Sequence, residues 1–224
     1  LVQWAMQSGP RLAMQVEQAK AVMRSDAFFD GPVGLRNFRI IAECLEIASL
    51  PFFPASLHLQ SYEAAGPVDS SRFLLHGVQD EEHNIFLKLF RELLLPEIER
   101  EAPDVVGISI PSMPQMLPGL TVAHLIKAAG LKCHVTVGGP HITMLREQLA
   151  KTPALFQLID SAVIFDGEEP LLRLARAVVD GKALSDVPNL LYREGAEIRV
   201  TARKEPEKIG DLPMNAMQRA ECFG

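Results

Sequence analysis

Three short segments carry residue types able to bind or react with a small molecule: Ser109-Ile110-Pro111-Ser112-Met113-Pro114-Gln115, Gly138-Gly139-Pro140-His141 and Gly167-Glu168-Glu169-Pro170. In the first, prolines fix the backbone while two serine hydroxyls and an amide offer hydrogen bonds. In the second, paired glycines let a bulky ligand approach the main chain, with amide donors available at a helix start. In the third, a glycine turn runs into a helix that opens with two carboxylates. Each segment also has a plainer reading. Glycine sits at the strand-to-helix turns of any doubly wound sheet, Glu168 and Glu169 suit the positive end of a helix, and His141 in a first turn can be a surface residue. The ordered set of three, each following a strand-like run, marks the site.

Other chemistries find little support. His58, His76, His83, His124 and His134 show no pairing at metal-ligand spacing, which speaks against a zinc or iron site. Cys44, Cys133 and Cys222 lie far apart with no C-x-x-C pair, as expected of core or surface residues in a reduced, cytoplasmic protein. No G-x-S-x-G elbow, Walker loop or G-x-G-x-x-G occurs. A formal charge of −6 argues against a nucleic-acid surface. No run approaches the roughly 20 apolar residues of a membrane span, and the first residues lack the order of a signal peptide. With 48% hydrophobic and 22% charged residues, the chain has the composition of an ordinary packed domain, alone or with a helical appendage.

The elements that must hold these segments follow from the apolar periodicity. Leu12, Val16, Ala19 and Met23 predict an amphipathic helix over 11–24, and Phe38, Ile41, Leu45 and Ala48 a second over 35–49, stopped by Pro51 and Pro54. Residues 56–62 alternate like a short strand, 63–80 read as a loop, and 81–101 as a helix with an acidic start at Glu81 and Glu82. After Pro103 the rhythm changes. Runs at 104–110, 134–139 and 161–167 read as strands, separated by helices over 120–130 and 169–181 that end at Gly130 and Gly181. That alternation predicts parallel βαβ units covered on both faces. Residues 189–200 read as a hairpin turning at Glu194-Gly195. The expected organisation is a mainly helical region at 1–102 able to pack on the sheet, a doubly wound, Rossmann- or flavodoxin-like α/β domain at 103–188, a hairpin and linker at 189–213, and a tail at 214–224. In such a sheet, ligands bind beyond the carboxyl ends of the strands, where strand order reverses.

The three segments in order resemble the cobalamin (B12)-binding domain that precedes the catalytic barrel in B12-dependent radical SAM proteins. The pattern is carried by Asp104, Val106, Gly107 and Ser109, then Val137, Gly138, Gly139 and His141, then Asp160, Val163, Gly167 and Glu168. The resemblance spans roughly 20–213, with its specific part in 103–195. It implies that Ser109, Ser112 and Gln115 contact the corrin or its tail. It further implies that Gly138, Gly139, Pro140 and His141 border the dimethylbenzimidazole or phosphate, and that Gly167, Glu168 and Glu169 complete the pocket.

Two departures refine what the resemblance implies. The D-x-H-x-x-G motif, whose histidine takes the lower face of cobalt in some relatives, is missing, which leaves Gln115 or Met113 to face that side. The cluster motif C-x-x-x-C-x-x-C is also missing, so the 4Fe-4S cluster and S-adenosylmethionine belong to a full-length protein with a further C-terminal radical SAM domain. The expectation is therefore a non-catalytic fragment of an enzyme, a cobalamin-binding module for methyl transfer or related radical chemistry. Two rivals are a cobalamin-dependent sensor or regulatory domain and a flavodoxin-like nucleotide-binding domain.

Overall fold

The computed structural model describes residues 2–204; the expected linker and tail beyond 204 lie outside the described residues. The chain opens with a helical pair, α1 (Val2–Met23) and α2 (Gly31–Ser49), packed on one another, with Leu12 and Ala19 of α1 buried. Pro at the start of α2 and the Asp30 side chain, which accepts the Val33 N–H, set where that helix begins. The alternating run after it forms two short strands, β1 (Ser56–Leu57) and β2 (Tyr62–Glu63), paired antiparallel. A single strand was expected there; the chain folds back at His58–Ser61 instead.

The expected loop at 63–80 contains a helix, α3 (Ser71–Gly77), because Ser70 accepts the Phe73 N–H and starts it. The expected helix at 81–101 is two: α4 (Ile85–Leu93) and α5 (Leu95–Glu101). Pro96 lacks the N–H that a continuous helix needs, which breaks the run at Leu94. Asn84, not the acidic pair before it, caps α4 by accepting the Phe86 N–H.

From there the chain builds one sheet. β3 (Val105–Ser109), β4 (His134–Gly138) and β5 (Ser161–Val163) are parallel, and the hairpin β6 (Leu190–Glu194) and β7 (Glu197–Val200) adds antiparallel to β5. The connections are α6 (Met116–Ala128), then α7 (Pro140–Met144) and α8 (Arg146–Ala150), then α9 (Glu168–Val179). The helix-covered parallel strands expected from the sequence are present, with the hairpin making the sheet mixed.

Strand alternation divides the two faces. Val106, Ile108 and Ile110 join Val135, Val137 and Ala162 on one face, where they pack with α6, α7 and α8 in the main core. The opposite face carries Val163, Leu190 and Tyr192, covered by Leu174 and Ala177 of α9. The described strands follow one another in sequence order, so the reversal of strand order expected to mark the ligand site is not found among them.

Candidate functional site

Gly107 stands exposed in the middle of β3, on the face that α9 covers. A Cβ built there would meet nothing nearer than Leu171 Cδ1 and Thr136 Cγ2, each at 4.0 Å. Packing therefore does not demand glycine at this position. The space it leaves is the floor of a groove of about 380 Å³ between the sheet and α9. Gly107, Ile108 and Ser109 of β3 line it beside Thr136, Val137 and Gly138 of β4; Gly139, Val163, Phe165, Gly167, Glu168 and Leu171 complete it. The walls are largely apolar, and the volume falls in the lower part of the ~300–1,000 Å³ range of small-molecule sites.

Of the residues predicted from sequence, Ser109, Gly138, Gly139, Gly167 and Glu168 are brought together here. The others lie outside the lining. Ser112 Oγ donates to Gln115 Oε1 at 3.0 Å within the exposed loop after β3, and Met113 in the same loop is 49% exposed. Pro140 and His141 start α7, where partial burial pushes the His141 imidazole below its ordinary value. Glu169 is held by Arg173 at 2.5 Å and by Lys204. The two glycines of the pair differ in role. Gly139 has φ +109° and a Cβ there would sit 3.0 Å from the Ile110 carbonyl oxygen, so the closeness of β3 and β4 requires glycine. A Cβ on Gly138 would sit 3.4 Å from the Val163 carbonyl oxygen, and this glycine borders the groove.

The sequence reading gave Gly107 as a position of the resembled pattern without a pocket role, and missed Thr136, Phe165 and Leu171. The signal for Gly107 and Thr136 was available: both sit at alternate positions whose neighbours belong to the other face. Beneath the groove, His134 Nε2 lies 2.8 Å from Ser161 Oγ, which donates to Thr136 Oγ1 at 2.9 Å. Burial lowers the His134 imidazole, with Lys127 acting in the same direction and Asp160 opposing it. This chain of side chains anchors Thr136 at the groove floor. Phe165 adopts φ +62°, uncommon for a bulky residue, and its N–H is held by Thr143 Oγ1 at 2.8 Å. Among the described residues no group of three or more His, Cys, Asp or Glu could hold a metal ion, and no helix is long and apolar enough to cross a membrane.

Parts of the chain are similar to known proteins. Residues 75–175 match the family model described as "B12 binding domain". This part of the chain, which holds most of the α/β sheet and its helices, is therefore similar to B12-binding domains. The match begins inside the helical region, in keeping with the packing of α4 and α5 on α6. An "Uncharacterized methyltransferase PH0819" of Pyrococcus horikoshii is 31% identical over 103 residues, which is 46% of this chain and 21% of that protein. Two solved structures are of the radical S-adenosylmethionine methyltransferase TsrM from Kitasatospora setae, one with tryptophan and a SAM analogue bound, one with cobalamin and a [4Fe-4S] cluster bound. Each is 18% identical with a TM-score of 0.44; they cover 52% and 55% of this chain and 22% and 23% of their own. The chain thus spans about a fifth of the length of the relatives it matches.

Proposed function

We propose that this chain is the cobalamin-holding module of a larger radical-SAM-type protein, acting in methyl transfer or related radical chemistry. The observation that carries the reading is the groove over Gly107. An apolar recess with a glycine floor that packing does not require, at the carboxyl ends of β3 and β4, suits a planar aromatic group lying against the main chain. Its volume fits the nucleotide tail of the cofactor rather than the whole corrin, which would lie outward over the strand ends.

In that arrangement Gly107, Thr136, Gly138, Val163 and Leu171 flank the tail and keep water from it. Ser109 offers a hydroxyl at the mouth, and the loop bearing Ser112, Met113 and Gln115 faces the corrin. Gly167 and Glu168 form the opposite wall. Bound cobalamin would supply a cobalt centre able to carry a methyl group; the chain's own residues bind, orient and shield it. The iron–sulfur cluster and S-adenosylmethionine would be held by a further domain. Free Cys44 and Cys133 suit a reduced, cytoplasmic setting.

The test is retention. The chain is mixed with hydroxocobalamin, desalted, and the visible spectrum of the protein fraction recorded, with flavin mononucleotide run in parallel. Corrin absorbance travelling with the protein is expected. Its absence, or retained flavin instead, would overturn the reading in favour of a flavodoxin-like nucleotide domain.

A further inference from the structure

Phe165 forms one wall of the groove, and two guanidinium groups lie over its ring, with Arg203 Cζ 4.4 Å and Arg146 Cζ 5.5 Å from the ring centroid. The two arginines are differently occupied. Arg146 donates from Nη1 to the Thr143 carbonyl at 3.0 Å and lies 3.5 Å from Glu147. Arg203 has only the ring: among the described residues no carboxylate or carbonyl takes its N–H groups. Stacking uses the flat face of a guanidinium and leaves the N–H fork in its plane free, the geometry that grips a phosphate through two parallel hydrogen bonds.

Arg203 also lines a second recess of about 380 Å³, with Arg173, Ser185, Asp186, Thr201 and Lys204 among its walls. Arg173 and Lys204 share Glu169, and the Asp186 carboxylate accepts from Ser185 at 3.4 Å. The two recesses meet at the Phe165–Arg203 stack, and α9 contributes to both, Leu171 to the apolar one and Arg173 to the basic one. An apolar slot thus adjoins a cationic one, which is the shape of a ligand whose planar end is linked to a phosphate.

We propose that Arg203 is a phosphate-binding residue, presenting its N–H edge to the phosphodiester of a ligand whose planar end lies in the Gly107 groove. This rests on the cobalamin reading, in which that phosphodiester joins the nucleotide tail to the corrin. It assigns a contact to a residue beyond the hairpin, outside all three strand-end segments.

The experiment compares the chain with its Arg203→Gln and Arg203→Lys variants by titration with cobalamin and with cobinamide, a corrinoid lacking the nucleotide and its phosphate. Circular dichroism and thermal melting confirm that each variant folds. Loss of one charge-assisted contact should weaken cobalamin about tenfold in Arg203→Gln. Arg203→Lys, which keeps the charge without the fork, should fall between, and cobinamide should bind all three alike. Unchanged cobalamin affinity in both variants, or equal loss for both corrinoids, overturns the assignment of Arg203 and leaves the cobalamin reading standing. If the unaltered chain binds neither corrinoid, both readings fail together.

Discussion

Asp160 reaches across to Val135: its Oδ2 accepts the Val135 N–H at 2.7 Å, and the same oxygen receives Lys127 Nζ at 2.6 Å. Asp160 directly precedes β5 and Val135 lies in β4, so one carboxylate fixes how these strands sit beside each other. The resemblance places Asp160 in a cofactor-binding pattern. The structure gives it a positioning duty, far along the strands from the groove mouth.

Replacing Asp160 by Ala should therefore cost stability rather than a ligand contact. Val135 is fully buried, so its N–H would lose its partner away from water. The expected loss is about 1–3 kcal/mol in urea unfolding. Lys127→Ala, which removes only the half-exposed ion-pair partner, should cost less than about 1 kcal/mol. Equal losses for the two variants would contradict this division.

Gly107 and Gly139 should respond in opposite ways to a side chain. Valine suits a strand and meets open space at Gly107, so Gly107→Val should leave stability unchanged or slightly raised. Cobalamin retention should nevertheless fall at least about tenfold, because the branched side chain occupies the groove floor. Gly139→Ala, with its positive φ and the Ile110 backbone at 3.0 Å, should lose roughly 1–3 kcal/mol of stability. Melting curves and corrin spectra on the same samples separate the two effects. Undiminished retention in Gly107→Val would remove the groove from consideration.

The pH dependence of stability should show two limbs. The Tyr62 hydroxyl is buried with no hydrogen-bond partner among the described residues, and burial, with the charge of Asp80 nearby, pushes it up to about 12. An unfolded tyrosine ionises near ~10. Between those values the unfolded chain has released the proton and the folded chain still holds it, so stability falls as pH rises. Tyr62→Phe should abolish that limb and raise stability at neutral pH by up to about 2 kcal/mol, since an unpaired hydroxyl leaves the core. On the acid side, burial holds His134 below its ordinary value. The unfolded chain then takes up the proton first, so stability present above ~6.5 is lost as pH falls. His134→Gln should flatten this limb. Melting temperatures from pH 4 to 12 test both, and a less stable Tyr62→Phe would reveal a partner for the hydroxyl.

The strands and their connecting helices were legible because apolar runs and glycine stops report packing directly. Gly130, for example, ends α6 with φ +71° as its position implied. What escaped was set by single side chains. Ser70 starts α3 inside a stretch whose composition reads as loop, and Asn84 starts α4 by donating to Gly77 O and Thr121 Oγ1 while capping Phe86. The acidic residues that suggested an earlier start belong to a turn, where Asp80 Oδ1 accepts the Glu82 and His83 N–H groups.

The candidate site divides in the same way. Its rim was readable, because Ser109, Gly138 and Gly167 stand where strands end. Its floor was less so: Gly107 stood in the resembled pattern, but its place in the groove, like that of Leu171, emerges only once α9 is set over the sheet. Phe165 and Arg203 are still further from any sequence signal, being 38 positions apart and joined only by the fold.

The half-covered face of the sheet also couples cargo to folding. Apolar surface at Leu171 and the Gly107 floor stays open because α9 does not close over it. A ligand seated there becomes the missing part of a layer, buried against the same strands that the helices bury elsewhere. By mass action, whatever fills the gap raises the resistance of the whole α/β unit to unfolding in proportion to its occupancy. The loaded and empty states would then differ in lifetime as well as in content, so the domain's durability would report how much cofactor is at hand.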